Sequence, residues 1–283
     1  MLADVVALLE CPVCAAPLAS AGAALRCAEG HSFDIARQGY VTLLPPSGRL
    51  DTGDSAEMVA ARAAFLGAGH FDRLRAAVTA QAVAAAEGSP GCVLDLGAGT
   101  GWYLASALEA APGRLGLALD ASKPALRRAA RAHVRAGAVA CDAWHRLPVR
   151  TGAAAVALNV FAPRNGAELA RVLAPGGAVV VAAPTARHLH ELVAGLGLLT
   201  VAQDKRRRVD AALGASFTAT AEETVEHRVD LSRAEAAALV AAGPSARHLG
   251  AEELSRRTEA LDELTSVTVS VTVTTYRSPT SPR

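Results

Sequence analysis

From residue 92 onward, short apolar runs alternate with stretches in which apolar side chains recur at helical spacing. The apolar runs are short enough to be buried strands and lie at 92–96, 115–120, 154–160 and 178–183. Helical spacing follows the first two runs, over 103–111 and 123–135. Strands that alternate with helices predict a parallel sheet covered on both faces.

The last apolar segment has a different pattern. Between Thr265 and Tyr276, valines alternate almost strictly with small polar residues. A period of two over so many residues predicts a long strand that is antiparallel to its neighbours. The expected fold is therefore α/β, with a Rossmann-like, mostly parallel sheet that includes an antiparallel last strand.

Breaker residues divide the chain into three units. The first forty-odd residues are rich in Cys, Gly and turn formers, and they end in the run LPPSG at 44–48. Helical spacing over 54–86 is interrupted by Gly67-Ala68-Gly69, which predicts two helices joined by a turn. We expect an N-terminal module at 1–46, a helical linker at 47–88 and the α/β domain at 89–283.

The composition is that of a globular protein. Hydrophobic residues make up 51% of the 283 residues and charged residues 19%, which supplies enough apolar surface for a core. No apolar run reaches the roughly 18 residues that a bilayer span needs, and the first ten residues carry acids rather than a basic export signal. We expect no membrane contact and a cytoplasmic location. Because the formal net charge is only +1, any contact with a nucleic acid needs a local basic patch.

Three cysteines and a histidine near the N-terminus have the spacing of a metal site. Cys11, Cys14, Cys27 and His31 follow the pattern C-x2-C-x12-C-x3-H, in which two turns present two ligands each. Thiolates and imidazole are preferred zinc ligands, and four protein ligands leave no open position for a substrate. We expect one structural Zn²⁺ that holds together a module too small for a core of its own. The alternative is three buried, reduced thiols beside an incidental histidine.

A glycine loop follows the first predicted strand. The loop D-x-G-x-G-x-G begins at Asp95 and includes Gly97 and Gly99, and its glycines allow the backbone to pass close to a ligand. Asp120 ends the second strand, where a carboxylate can accept hydrogen bonds from both ribose hydroxyls. An NAD enzyme uses similar parts, but here Asp95 leads the loop and can bind the amino-acid portion of S-adenosylmethionine. The alternative is a purely structural tight turn.

Several further motifs accompany these residues: GDSAEM at 53–58, GHF at 69–71 and NVFAPR at 159–164. Together they resemble the RlmA/TlrB family of 23S rRNA guanine-N1 methyltransferases, over nearly the whole chain. Segments 122–124, 128–133 and 158–165 are most similar to the TlrB branch, which is associated with tylosin resistance. The resemblance implies a class I methyltransferase fold that methylates a guanine in a domain II hairpin of 23S rRNA near the peptide exit tunnel. It also implies a homodimer, and it places the zinc ligands on the four N-terminal residues above.

The same resemblance implies which residues contact S-adenosylmethionine. These contacts fall on Phe71, Gly99, Thr100 and His188, so the helical linker contributes to the cofactor site through Phe71. Relatives often have Tyr at this position. Phe71 can still pack on the cofactor, but it lacks the tyrosine hydroxyl that could form a hydrogen bond. The alternative for His188 is an ordinary polar residue that caps the following helix.

Methylation of guanine N1 requires that its proton leave before the lone pair attacks. Asn159, at the end of the strand at 154–160, is our candidate catalytic residue because its amide can hold the guanine edge. Asn cannot act as a base, so water, Asp54 or Glu57 is the candidate proton acceptor. The alternative is that residues 159–163 only shape the loop through Pro163.

N1 lies on the Watson–Crick edge, so a paired guanine must be flipped out, and Phe161 or Trp102 can stack on it. Either aromatic can equally belong to the core. The predicted helix at 123–135 carries basic residues at every fourth position, and a second basic run follows later: Lys123, Arg127, Arg131, Arg135, and the run 205–208. These residues are candidates for RNA phosphate contacts, although charge runs are usually solvated faces. The zinc module is the stronger candidate for gripping RNA.

Two other functions remain open on the sequence alone. The first is a methyltransferase for a small molecule of an antibiotic pathway, whose activity depends little on salt. The second is a zinc-containing RNA-binding protein without catalysis. The intact loop at 95–101 and Asp120 count against the second.

Overall fold

The computed structural model describes residues 2–45, 50, 53–197, 205–243 and 251–278. Within them the helices are α1 (Leu2–Val5), α2 (Ala56–Gly67), α3 (Asp72–Ala86), α4 (Trp102–Ala110), α5 (Lys123–Ala129), α6 (Gly166–Val172), α7 (His190–Leu196), α8 (Lys205–Leu213), α9 (Arg233–Ala241) and α10 (Ala251–Glu259). The strands are β1 (Leu18–Ala21), β2 (Ala24–Cys27), β3 (Ser32–Asp34), β4 (Tyr40–Thr42), β5 (Cys92–Leu96), β6 (Gly116–Asp120), β7 (Ala136–Ala140), β8 (Ala154–Val160), β9 (Leu173–Pro184), β10 (Thr218–Ser232) and β11 (Leu264–Arg277). In this described part of the chain, no helix is long and apolar enough to cross a bilayer.

The main sheet has the strand order β10-β11-β9-β8-β5-β6-β7-β4. The strands from β9 to β4 in this order are parallel, whereas β11 is antiparallel to β9 and β10 is antiparallel to β11. This confirms the α/β fold, the mostly parallel sheet and the antiparallel last strand. All residues of β5, β7 and β8 are buried, as expected for strands covered on both faces.

The sequence pattern did not predict β7 or β10. β7 consists of alanine, glycine and one valine, and the helix that we expected at 123–135 ran up to its first residue. β10 is the edge strand of the sheet, and most of its side chains are exposed and polar. An edge strand needs little apolar surface, so hydrophobic periodicity could not reveal it.

The N-terminal segment is joined directly to the main sheet. β1, β2 and β3 form a small antiparallel sheet of their own, but β4 pairs in parallel with β7 at the edge of the main sheet. The helix α1 also packs on β7, so closely that a Cβ on Gly137 would lie 2.2 Å from Val5 Cγ2. The predicted boundary at residue 46 thus lies just after a strand that belongs to the main sheet.

The two helices predicted for the linker are confirmed as α2 and α3. The side chain of Ser55 caps α2 by accepting a hydrogen bond of 3.2 Å from the backbone N–H of Met58. Gly69, with φ of +85°, lies in the turn between the two helices. α3 then packs against β8, β9 and β11, while α2 packs against α9.

The predicted basic stripe at 123–135 is wrong, because α5 ends at Ala129. The chain then turns tightly, with backbone hydrogen bonds from Arg131 N to Arg128 O and from Ala132 N to Ala129 O. Arg135 is part-buried and donates to the carbonyl oxygens of Ala111 and Arg114, at 2.9 and 2.7 Å. It is therefore used in the fold rather than for a phosphate.

Of the second basic run, residues 205–208, only the side chain of Arg207 is described. It is exposed at the start of α8. The side chains of Lys205, Arg206 and Arg208 lie outside the described part of the structure.

Candidate active site and metal centre

A cavity of about 860 Å³ opens where the carboxyl ends of β5, β6, β7 and β8 meet. Loops that follow these strands line it, together with side chains of α2 and the segment between α2 and α3. Ligands of open α/β sheets bind at this edge. The structure thus brings together the following residues that the sequence predicted for the cofactor: Phe71, Asp95, Gly97, Gly99, Thr100, Asp120 and His188.

The glycine loop is tied to the neighbouring strand by its backbone. The N–H groups of Gly97 and Ala98 both donate to Leu119 O, at 2.8 and 3.0 Å. Gly97 has φ of +77°, and a Cβ there would lie 2.4 Å from the Cβ of Ala162. Only glycine allows the loop after β5 and the loop after β8 to pack this closely.

The two acids predicted for the cofactor lie in different environments. Asp95 is 2% exposed and its Oδ2 has no hydrogen-bond partner. Burial, and to a lesser extent the nearby Asp120, raise the pKa of Asp95 to about 8. Burial also raises the pKa of Asp120, although its carboxylate accepts hydrogen bonds from Ser122 N and Gly99 N, at 2.7 and 2.8 Å. The hydroxyl of Tyr103, also on the cavity wall, is buried without a partner.

Three rings form one wall of the cavity. His188 lies with its ring centroid 5.7 Å from that of Phe161 at an interplanar angle of 22°, and 5.9 Å from that of Phe71. Its Nδ1 accepts a hydrogen bond of 3.2 Å from Ser270 N, so Nε2 carries the ring proton when His188 is neutral. The alternative role of His188 as a helix cap is wrong, because α7 has Leu189 as its N-cap residue and no side-chain cap.

Asn159 lies behind the cavity rather than on its wall. It is fully buried, and its Nδ2 donates to Pro163 O at 2.7 Å. The residues that line the cavity in this loop are Val160, Phe161, Ala162 and Pro163. This arrangement favours the alternative in which Asn159 shapes the loop, and its catalytic role stays a prediction.

The two candidate proton acceptors differ in whether they line the cavity, and the two candidate stacking rings differ in their exposure. Asp54 lines the cavity and is ion-paired with Arg62, whereas Glu57 is exposed and is not on the wall. Phe161 is 41% exposed and has φ of +54°. Trp102 lies on the cavity wall with the guanidinium of Arg75 4.3 Å from its ring centroid. Phe161 therefore has the more exposed ring.

The four predicted zinc ligands form one cluster in the N-terminal segment. Their ligand atoms all lie within 4.8 Å of one another. Cys14 Sγ lies 3.7 Å from Cys27 Sγ, and His31 Nδ1 lies 3.6 Å from Cys11 Sγ and 3.3 Å from Cys27 Sγ. A tetrahedron with Zn–S bonds of about 2.3 Å has edges of about 3.8 Å. The donor set fits Zn²⁺, and these three separations lie near such an edge.

Comparisons with known proteins cover both parts of the chain. Residues 9–48 match the family described as RlmA, N-terminal, and residues 93–177 match a methyltransferase domain. A putative 23S rRNA (guanine-N(1)-)-methyltransferase of Micromonospora griseorubida is 50% identical over 97% of this chain and 98% of the relative. The 23S rRNA (guanine(748)-N(1))-methyltransferase of Streptomyces fradiae is 49% identical over 98% of this chain and 99% of the relative. The chain belongs to the 23S rRNA (guanine-N1)-methyltransferase family.

The methyltransferase uses S-adenosylmethionine as its cofactor and has a zinc ribbon at its N-terminus. The cavity fits such a cofactor, because the unpartnered oxygen of Asp95 and the carboxylate of Asp120 offer acceptors to a cationic nucleoside. Gly99 has φ of +55°, and a Cβ there would have only the guanidinium of Arg62 within 4 Å, at 3.8 Å. The loop therefore leaves open space for a ligand above Gly99.

Sequence reasoning missed two parts of the methyltransferase's cavity wall. Cys141, Asp142 and Trp144 follow β7, and Trp144 is 63% exposed at the edge of the cavity. The acid directly after an alanine-rich run was the available signal, but the run had not been recognised as a strand. Arg62 was missed as well, because its position on α2 becomes part of the wall only through tertiary packing.

Proposed function

We propose that the methyltransferase transfers the methyl group of S-adenosylmethionine to N1 of a guanine in a domain II hairpin of 23S rRNA near the peptide exit tunnel. The observation that carries this proposal is the 49% identity, over nearly the full length of both chains, with the Streptomyces fradiae enzyme whose name states guanine 748. We further propose that this methylation gives resistance to tylosin-type macrolides.

In this proposal the residues at the carboxyl edge of the sheet hold the cofactor. Asp95 accepts from the ammonium group of the amino-acid portion, and Asp120 accepts from the ribose hydroxyls. The backbone of Gly97, Gly99 and Thr100 passes beneath the cofactor, while Phe71 and His188 pack against it. The bound cofactor supplies a methyl group already activated on a sulfonium, so the chain mainly has to orient the guanine for in-line attack.

The guanine is held on the side of the cavity formed by the loop after β8. Phe161 is exposed beside His188, with the two rings nearly parallel, and this geometry supports stacking of a flipped base on Phe161. Asn159 fixes the loop through its bond to Pro163 O. Of the candidate proton acceptors for N1, water is favoured, because Asp54 is ion-paired with Arg62 and Glu57 is not on the cavity wall.

The zinc ribbon supplies a second RNA contact in this proposal. Its ligands fit a closed site, so the metal stabilises the fold of the ribbon and takes no part in methyl transfer. We also propose three functional units, at 1–46, 47–88 and 89–283, and a homodimer that acts in the cytoplasm, where ribosomes are found.

The test is incubation of the purified protein with labelled S-adenosylmethionine and unmodified 23S rRNA, followed by primer extension. A methyl group on N1 blocks base pairing, so reverse transcriptase should stop at one hairpin guanine. A transcript with adenine at that position serves as the control and should gain no label. Absence of label from intact rRNA, with cofactor bound, would defeat the proposal and favour a small-molecule acceptor.

A further inference from the structure

The cavity wall is rich in carboxyl groups. Among the described residues that line it, four have carboxylate side chains: Asp54, Asp95, Asp120 and Asp142. Arg62 is the single lysine or arginine in that same described lining. S-adenosylmethionine carries a sulfonium and an ammonium, which suit this wall, but it also carries a carboxylate. Ionised acids of the wall repel that carboxylate, and a cationic partner stabilises it.

Arg62 lies directly above the glycine loop. Its Nη1 is ion-paired with Asp54, and its Nη2 donates to Ala242 O at 2.7 Å. Nη1 lies 3.8 Å from the position that a Cβ would occupy on Gly99. The guanidinium thus faces the space above Gly99, where the cofactor is expected to lie.

The segment that holds Arg62 is itself fixed to the cofactor site. The hydroxyl of Ser122 donates to Asp54 O at 2.7 Å, and Ser122 N donates to Asp120. Gly53 lies so close to this turn that a Cβ would be 2.9 Å from Ala121 O. The Asp54 carboxylate therefore holds the guanidinium at a defined place relative to Asp120.

We propose that Arg62 binds the carboxylate of S-adenosylmethionine and that Asp54 is a positioning residue for its guanidinium. The inference deepens the proposed function and rests on it for the cofactor. A guanidinium has more N–H donors than the two bonds to Asp54 and Ala242 use, so it can bind a carboxylate without giving up either contact. With the carboxylate of S-adenosylmethionine bound by Arg62, Asp95 binds the ammonium group of the cofactor.

The test compares two probes that differ only in the carboxylate. S-adenosylmethionine and its decarboxylated form are titrated into the full-length protein in a calorimeter. Loss of a charge-assisted hydrogen bond in Arg62→Met should weaken the binding of S-adenosylmethionine by about 30-fold, with decarboxylated cofactor changed by less than about 3-fold. The affinity of Arg62→Lys for S-adenosylmethionine should lie between that of Arg62→Met and that of the wild type, because a lysine keeps the charge but not the planar donor pair.

Arg73→Met is the matched control, since Arg73 is an exposed arginine of α3 that does not line the cavity. It should bind both probes as the wild type does. Equal weakening of both probes in Arg62→Met overturns the inference, because it indicates only a structural contact with Ala242. Unchanged binding of both probes overturns it as well.

Failure of this inference can be told apart from failure of the proposed function. If Arg62→Met binds S-adenosylmethionine as tightly as the wild type and rRNA is still methylated, only the role of Arg62 is wrong. If the wild type discriminates between the probes through Arg62 but labels no rRNA, the role of Arg62 stands and the substrate is wrong.

Discussion

The carboxylate of Asp120 accepts a 2.8 Å hydrogen bond from the backbone N–H of Gly99, which joins the end of β6 to the middle of the glycine loop. With the two N–H bonds from the loop to Leu119, this contact sets the shape of the loop from the neighbouring strand. The loop is therefore preorganised for a ligand, so binding costs little ordering of the backbone.

The two glycines of this loop should respond differently to alanine. In Gly97→Ala, the new Cβ would lie 2.4 Å from the Cβ of Ala162, and φ would remain positive. We expect a loss of about 3 kcal/mol in the free energy of unfolding, from overpacking and backbone strain together. Gly99→Ala is the control, because its Cβ meets only Arg62, and it should cost about 1 kcal/mol. Urea unfolding curves measure both, and equal losses would contradict the close packing at Ala162.

Cofactor affinity should rise with pH because of Asp95. Burial, with Asp120 nearby, raises its pKa to about 8 in the free protein, so at neutral pH most of the population carries a proton there. A cationic ligand prefers the ionised carboxylate, so the affinity should increase from about pH 6 to about pH 8 and a proton should be released on binding. Calorimetry in buffers of different ionisation enthalpy measures this proton.

The same group should destabilise the free protein as pH rises. The folded state holds a proton on Asp95 that the unfolded chain releases near pH 4, so the free energy of unfolding should fall between about pH 4 and about pH 8. Asp95→Asn is the control for both effects and should flatten this part of both pH profiles. A binding curve in the wild type that does not change over this range would show that Asp95 is already ionised.

Removal of a zinc ligand should cost more than removal of a buried thiol. Cys14 is exposed and Cys92 is buried in the core, so ordinary packing predicts that Cys92→Ala is the more harmful change. If Cys14 binds zinc, Cys14→Ala should instead lower the melting temperature further and release the metal. Metal content by mass spectrometry and thermal melts test this. A Cys14→Ala protein as stable as wild type would contradict a structural zinc site.

Arg135 should matter for stability and not for RNA binding. Its guanidinium donates to the carbonyl oxygens of Ala111 and Arg114, so Arg135→Met removes both hydrogen bonds and should cost about 2 kcal/mol of the free energy of unfolding. Arg131, which is exposed just beyond α5, is the matched control and should cost under about 0.5 kcal/mol as Arg131→Met. The slope of RNA affinity against salt should be unchanged in Arg135→Met. A shallower slope would show that Arg135 contacts an RNA phosphate.

Local signals in the sequence were sufficient for the metal cluster and the glycine loop. The zinc ligands lie in two short turns, so their spacing alone limits how they can meet, and the structure brings all of them within 4.8 Å. The loop from Asp95 to Gly99 follows a strongly apolar strand, and Asp120 ends the next strand. Because parallel strands place their carboxyl ends at one edge, the two acids were bound to lie near each other.

The sequence by itself determined the α/β class, the core strands β5, β6, β8 and β9, the metal ligands and the acids of the cofactor cavity, because each of these depends on residues close together along the chain. Only the tertiary structure decided that β4 extends the main sheet, that Arg135 donates hydrogen bonds to backbone carbonyls and that Arg62 faces the glycine loop. These contacts join segments far apart in sequence. Their free energies depend on which faces are packed together, and no periodicity or spacing along one segment carries that information.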